Sequence, residues 1–517
     1  MVCASIKEMD MEKKYDAVVI GSGMGGLVSA VILAKHGLKV CVLEKNNQYG
    51  GNLQTFVRDK TIFDTGVHYI GGLEEGQNLF KYFKYLGIMD ELQLQKLDKN
   101  AYDYVTFDND DRVFPHAQGY NNFVEQLLTY FPEEREALEK YCAEMQRVCH
   151  AFPLYNVEKE SEYNEDVLQI NAKEFFDSIT QNELLKAVLS GTNSLYAGNT
   201  KTPFFVHALA VNSYIESSYR CIRGGSQISK LLVKLIRKFG GEIYKHQEVV
   251  SCNFENDNIK SVVTAKNDVF EADIFISNVD VVATINFVGK ERFRKAFVNR
   301  IDSLKVSPAA FSVYLVFKPE SFPYLNHNYY HFHNPELIWK GADYDKALWP
   351  QGYMISMGVF EKDQRWAESM TIMTYMHFDE MKEWENTKNT VAHKNERGED
   401  YEAFKERHTE LLLQAVERKF PELRAHIQSV HASTPLSYRD YIGGLDGNMY
   451  GYEKDSENVM KTFISPKTKI PNLYLTGQSV NMHGVLGVTI GAVSTCSHII
   501  GRDKLMNSIK QELHENA

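Results

Sequence analysis

Four consecutive apolar residues, Ala17 to Ile20, lead into four glycines within the six positions Gly21 to Gly26. A short apolar run bounded by glycine suits a strand buried on both faces of a parallel sheet. Leu27 to His36 predicts a helix, and Gly37 supplies its stop. Lys39 to Leu43 predicts a second strand, ending at Glu44. Further along, Ile228, Leu231, Leu232, Leu235 and Ile236 recur at helical spacing and predict an amphipathic helix closed by Gly240 and Gly241. Strand-like runs follow at Glu242 to Tyr244, Ile259 to Thr264 and Ile274 to Ser277, and later at Leu473 to Leu475, before a helix predicted over Val485 to Ile500. Two alternating runs, "AAFSVYLVF" (Ala309 to Phe317) and "MTIMTYMHF" (Met370 to Phe378), predict strands of a second layer. "FFVHALAV", Phe204 to Val211, reads as a buried segment, since a bilayer span needs about 18 apolar residues. The polar stretch Asn386 to His408 reads as a surface loop entering a solvated helix.

Gly21, Gly23 and Gly26 spell G-x-G-x-x-G at the junction of the first strand and helix. Gly21 permits the tight turn, Gly23 lets a pyrophosphate approach the backbone, and Gly26 lets the helix pack closely on the strand. The helix N-terminus directs its positive end at the phosphates. Glu44 lies 23 residues after Gly21 and ends the second strand. A carboxylate there accepts both ribose hydroxyls and repels a 2′-phosphate. Strand, turn, helix, strand and acid arrive in the order that a dinucleotide site requires.

Two further motifs narrow the reading. "EKNNQYGGNLQTF" brings a second glycine pair, Gly50 and Gly51, and "FDTGVHYIG" spans Phe63 to Gly71. With these, the sequence resembles the phytoene desaturase, carotenoid isomerase and retinol saturase family of FAD-dependent oxidoreductases, relatives of the amine oxidases. The resemblance implies an α/β fold: a Rossmann-like FAD-binding domain of the glutathione-reductase and amine-oxidase type, with an inserted α+β substrate domain. It divides the chain into FAD-binding segments at 1–94, 201–289 and 433–517 and substrate-domain segments at 95–200 and 290–432. Besides Gly21, Gly23, Gly26 and Glu44, it assigns Lys45, Gly51, Asn52, Gly66, Val249, Gly477 and Val485 to the cofactor, Val249 through its backbone to the adenine. Asn52 departs from the arginine that many desaturases carry after the glycine pair. "TGQ", Thr476 to Gln478, is more similar to the saturase and isomerase branches.

Composition adds boundaries rather than detail. The 517 residues carry a formal net charge of −11, which argues against nucleic acid as the main partner. Seven scattered cysteines with no paired spacing fit a reducing, cytoplasmic compartment, and the N-terminus shows no secretory h-region. Aromatic residues make up 12% of the chain, compatible with a large apolar cavity or an aromatic core.

The family resemblance implies redox chemistry on carbon–carbon double bonds of an apolar polyene or isoprenoid-like substrate. Saturating such a bond takes a hydride from flavin and a proton from an acid. His68, Tyr69 and His483 occupy motifs expected beside the isoalloxazine and are the catalytic candidates, each able to donate or to shape the pocket. Tyr438, Tyr441 and Tyr450 are expected to line it. No second dinucleotide fold is visible, so NAD(P)H is a candidate electron donor only by transient docking or through a partner. The sequence leaves the electron partner open. "HNYYHFH" would place His327, His331 and His333 on one face of a strand. With no carboxylate or cysteine close in sequence, a polar strand face is preferred to a metal site. An apolar substrate also implies transient contact with a membrane surface. Desaturation, cis–trans isomerisation, amine oxidation and non-catalytic lipid binding stand as alternatives.

Overall fold

Three separated stretches of chain build one parallel sheet. In the computed structural model, which describes residues 13–157, 166–340, 343–391, 394–480 and 482–515, strands Glu242–Tyr244, Val40–Leu43, Lys13–Ile20, Val269–Ser277 and Leu473–Leu475 lie side by side in that order. Tyr244, Leu43, Ile20, Ser277 and Leu475 form one row across its carboxyl edge. The residues that follow four of these strands, Glu44, Gly21, Asn278 and Thr476, therefore emerge together, at the edge where doubly wound folds bind ligands. Strands Val249–Glu255 and Asn258–Thr264 add an antiparallel meander on the early part of Val269–Ser277.

The first helix runs Met24–Lys35 and begins three residues before the position predicted from Leu27. Gly25 and Gly26 lie inside its first turn, so residues that read as punctuation in the sequence are already helical. Every residue from Met24 to Ala34 is buried, because the helix packs against both Ser226–Lys238 and the late helix Gly484–Ile500. Strand Val269–Ser277 is longer than its predicted core at Ile274, since its early residues pair with the meander. Strand Val249–Glu255 is not among the predicted runs, because its side chains are mostly exposed and only Val249, Cys252 and Phe254 are partly buried. Phe204–Glu216 is a buried helix that packs on Arg135–His150.

The second sheet has seven strands, in the order Ile427–Ser433, Ala309–Phe317, Ser369–Met376, Gly352–Met357, Asn328–Phe332, Asp103–Phe107 and Asp110–His116. All pairs are antiparallel except Asn328–Phe332 with Asp103–Phe107. Helix Glu399–Glu417 covers one face, packing Leu412, Leu413 and Val416 in a core with Phe311, Val313 and Leu315. The polar stretch predicted to enter a solvated helix meets this helix at Glu399, and Tyr401 and His408 within it are already on the buried face. Tyr330, Met354 and Met373 are cross-strand neighbours. Since strand side chains alternate between faces, this row faces away from Tyr353 and Ile372, which belong to the helix-covered core. The chain thus joins a Rossmann-like sheet to an inserted α+β layer.

The strand takes in only part of the histidine run. Only His331 lies within strand Asn328–Phe332. His327 packs on Tyr104 and Tyr329. His331 Nε2 lies 2.9 Å from Asp108 Oδ1, and His333 engages the other Asp108 oxygen. A carboxylate distant in sequence therefore meets two of the three rings. Among the described residues, no helix is long and apolar enough to cross a membrane.

Candidate active site

A cavity of about 610 Å³ opens between the two sheets. Its lining contains Gly21, Gly23, Glu44, Lys45, Gly51, Asn52, Gly66, His68, Tyr69, Val249, Gly477, His483 and Val485, which brings all but one of the expected residues to a single site. Gly26 sits one layer behind, where an added Cβ would lie 2.2 Å from the Gly21 carbonyl oxygen.

At the glycine end the wall is mostly backbone. Gly21 and Gly477 hold φ of +92° and +102°, a region L side chains rarely enter. Asn278, which the sequence reading passed over, fills the space between the loops. A Cβ on Gly23 would lie 2.7 Å from Asn278 Nδ2, and one on Gly25 the same distance from its Oδ1. The signal for Asn278 was present: it ends an apolar strand as Gly21 ends the first. Glu44 Oε2 accepts hydrogen bonds from the Ser22 amide at 3.0 Å and from the Ser22 hydroxyl, while its Oε1 accepts from the Asn46 amide at 2.8 Å. Burial lowers the Lys45 pKa, opposed by Glu248 and Glu44. Asn52 Nδ2 donates to Gln478 Oε1 at 3.0 Å, so the residue after the second glycine pair is tied to the "TGQ" turn.

Three features fit an anionic dinucleotide here. The helices Met24–Lys35 and Gly484–Ile500 begin without a side-chain cap among the described residues, leaving N-terminal amides free for phosphate or other negative charge. Asn278 Oδ1, an acceptor, and Thr476 Oγ1, a hydroxyl, are buried without a partner among the described residues, so the sugar hydroxyls of a dinucleotide would satisfy the first and either its hydroxyls or phosphates the second. The glycines keep Cβ atoms out of the groove that a pyrophosphate would follow. Glu44 sits where an adenosine ribose would reach it.

The opposite end is built from side chains. Tyr330, Met354 and Met373 form its floor, with Tyr69, Tyr214, Tyr438 and Tyr450 around them. A smaller cavity of about 60 Å³ shares Tyr330, Met354 and Met373 and continues between Phe332, Trp349 and Tyr375. Burial, with a smaller contribution from the Arg220 charge, holds the His68 pKa down at about 4. Burial likewise lowers His483 to about 4, and its Nε2–H donates to the Leu195 carbonyl at 3.1 Å. Both rings are neutral at pH 7. Tyr69 donates to the buried Asp103 carboxylate at 2.8 Å, and burial raises its pKa well above 10.0. Tyr330 and Asp103 were missed by sequence reasoning. The trace of Asp103 was a lone acid in register with Val105 and Phe107 on an otherwise apolar strand.

This chain is similar along most of its length to other oxidoreductases and isomerases. It is 28% identical to the all-trans-retinol 13,14-reductase of Rattus norvegicus, covering 95% of this chain and 86% of that protein. It is 24% identical to the chloroplastic prolycopene isomerase of Daucus carota, covering 95% of this chain and 80% of that protein. An oxidoreductase from Methanosarcina mazei shares the fold, with a TM-score of 0.63 at 16% identity over 94% of this chain and 100% of that chain. The pattern of the flavin containing amine oxidoreductases matches residues 24–497. With its glycine cradle, uncapped helix ends and ribose-side carboxylate in place, the chain belongs to the flavin-containing amine oxidoreductase family.

Proposed function

We propose that this protein is an FAD-dependent oxidoreductase that reduces a carbon–carbon double bond in an apolar polyene or isoprenoid-like substrate, as the name of its rat relative describes for retinol. The observation that carries the reading is the Tyr330–Met354–Met373 floor facing the glycine cradle across one cavity. Methionine side chains are flexible and apolar, suited to a long hydrocarbon. The lining carboxylates Glu44, Glu248 and Asp280 all lie in the turns that follow strands of the first sheet, away from this floor. That placement favours an uncharged substrate over an amine.

When bound and reduced, FAD supplies a hydride. The chain's own residues do the rest. Gly21, Gly23 and the start of helix Met24–Lys35 would hold the pyrophosphate, Glu44 the ribose, and the backbone near Val249 the adenine. The uncapped start of helix Gly484–Ile500 would favour negative charge on the flavin ring. Tyr214, Tyr438 and Tyr450 exclude water from the apolar end.

NAD(P)H is the proposed electron source, docking transiently or acting through a partner. The protein is placed in the cytoplasm with peripheral contact to a membrane surface, where an apolar substrate dissolves. A second reading, redox-neutral cis–trans isomerisation, is favoured by the similarity to prolycopene isomerase. The test is to photoreduce the FAD-loaded enzyme without air, add retinol or a short carotenoid, and follow the flavin band. Reoxidation with a product heavier by two hydrogens supports reduction. Persistent reduction with a changed isomer pattern supports isomerisation. Activity of the oxidised form alone, giving a product lighter by two hydrogens, identifies a desaturase. No turnover in either form identifies a lipid-binding flavoprotein.

A further inference from the structure

Behind the floor of the cavity runs a hydrogen-bond chain that the cofactor cradle does not use. Tyr330 Oη lies 2.7 Å from Tyr69 Oη, and Tyr69 Oη lies 2.8 Å from Asp103 Oδ2. Both tyrosines line the main cavity, and Tyr330 also lines the smaller one beside it. Asp103 is fully buried. On its far side Asp103 Oδ1 accepts from Asn328 Nδ2 at 2.8 Å, and Asn328 Oδ1 accepts from the Arg220 guanidinium at 2.7 Å. The titratable groups facing it are Tyr69, Tyr102, Tyr214, Tyr330 and, opposite it on the neighbouring strand, His116, which burial lowers to about 4; Arg220 is the nearby fixed charge.

The order Asp103, Tyr69, Tyr330 has two hydrogen arrangements on the same heavy atoms. With Asp103 ionised, Tyr69 donates to the carboxylate and Tyr330 donates to Tyr69, so the hydrogens point away from the cavity. With Asp103 protonated, the carboxyl donates to Tyr69, Tyr69 donates to Tyr330, and the Tyr330 hydrogen is free to leave toward the cavity. The charge of one buried group thus sets the polarity of the chain.

We propose that Asp103, Tyr69 and Tyr330 deliver the proton that completes reduction of the double bond, with Tyr330 meeting the substrate and Asp103 acting as the reservoir. This rests on the reductase reading above. One carbon of the double bond receives the hydride from reduced FAD, and its neighbour receives the Tyr330 proton as the Tyr330 O–H bond breaks. Tyr330 is reprotonated by Tyr69, and Tyr69 by Asp103. The carboxylate left behind is held by Asn328 and the Arg220 charge, and it regains a proton from solvent before the next turnover. Burial pushes the Asp103 carboxyl up to about 7, against the smaller lowering effects of Asn328, Tyr69 and Arg220. A group so placed is protonated for a useful fraction of the time at neutral pH. The neutral rings of His68 and His483 carry no spare proton there, and the Nε2–H of His483 is already engaged by Leu195.

The experiment uses FAD-loaded enzyme, photoreduced without air and mixed rapidly with retinol. Tyr330→Phe keeps its flavin and its dependence on retinol concentration but reoxidises about 100-fold more slowly. The wild-type rate falls as pH rises through about 7, where Asp103 loses its proton. Asp103→Asn and Tyr69→Phe are slow at every pH and flat across that range. Independently of substrate, infrared difference spectra of the oxidised holoenzyme, taken a unit either side of pH 7, show loss of protonated-carboxyl absorption in the wild type that is about halved in Asp103→Asn, with buried Asp64 supplying the rest. Should Asp103→Asn lose its flavin, Tyr69→Phe and Tyr330→Phe carry the test. A Tyr330→Phe enzyme with wild-type rate and pH profile, or carboxyl absorption undiminished in folded Asp103→Asn, overturns the proposal while leaving the reductase reading intact. A wild-type enzyme whose reduced flavin is inert to retinol and carotenoids, although the band titrates, overturns the reductase reading and the delivery step with it.

Discussion

The two ends of the cavity are made of different material. The glycine end is mostly backbone: positive-φ glycines and free helix amides, with the carboxylates of Glu44, Glu248 and Asp280, all from turns that follow neighbouring strands. The substrate end is side chain: tyrosines and methionines projected from strands and loops far apart in the sequence, backed by a buried acid. Backbone surfaces tolerate almost no added atoms, whereas a methionine wall can repack. The difference predicts that mutations at the first end remove the cofactor, while those at the second change chemistry with the cofactor in place.

The sharpest way to break this contrast is Gly26→Val. Its first added carbon would meet the Gly21 carbonyl at 2.2 Å, a backbone atom with nowhere to move. The purified protein is expected to be colourless, and a yellow Gly26→Val protein with full FAD by absorbance would refute the rigid-cradle account.

The next effect belongs to the other end. The Asp103 carboxyl is raised from 3.8 to about 7 in the folded protein, so between these values the unfolded chain binds fewer protons than the folded one. Stability is fully present below about pH 4 and falls as pH rises toward 7, by about 1 kcal/mol per unit. Asp64, also raised to about 7 by burial, adds a slope of the same sign. Denaturant unfolding of Asp103→Asn across this window should lose about half of the decline. An unchanged slope would remove Asp103 as a proton-holding group.

Glu44→Ala sharpens the picture at the ribose. Loss of a charge-assisted hydrogen bond is expected to weaken FAD binding by about 1–3 kcal/mol, measured by flavin release on dilution, with the fold retained. The smallest effect is expected for Asn52→Ala. It breaks only the bond to Gln478, worth about 0.5–1.5 kcal/mol. Melting of the holoprotein should register it with little change in flavin content.

The same division governs how much was legible beforehand. The strand, glycine turn, helix and Glu44 were readable because a dinucleotide cradle is encoded over fewer than thirty consecutive residues, and each glycine has a local steric reason. Helix Met24–Lys35 still began earlier than predicted, because glycine reads as a breaker unless its packing is known. Asn278 was recoverable by inspecting the residue immediately after each parallel strand. Tyr330 was not. Nothing near it in sequence distinguishes it from Tyr329, and only strand register decides that one faces the cavity while the other packs on Tyr104 and Phe420. His331 and His333 show the same limit, since their carboxylate partner, Asp108, lies more than 220 positions away.

By itself the sequence determined the cofactor class, the turn that holds it and the alternation of strands and helices around it, because these depend on short-range sterics and on the periodicity of burial. The tertiary structure alone decided which acid is buried behind which tyrosine, and which strand face closes on the flavin groove. Those relations depend on pairing between distant strands, where a shift of one residue would turn Tyr330 away and bring Tyr329 in.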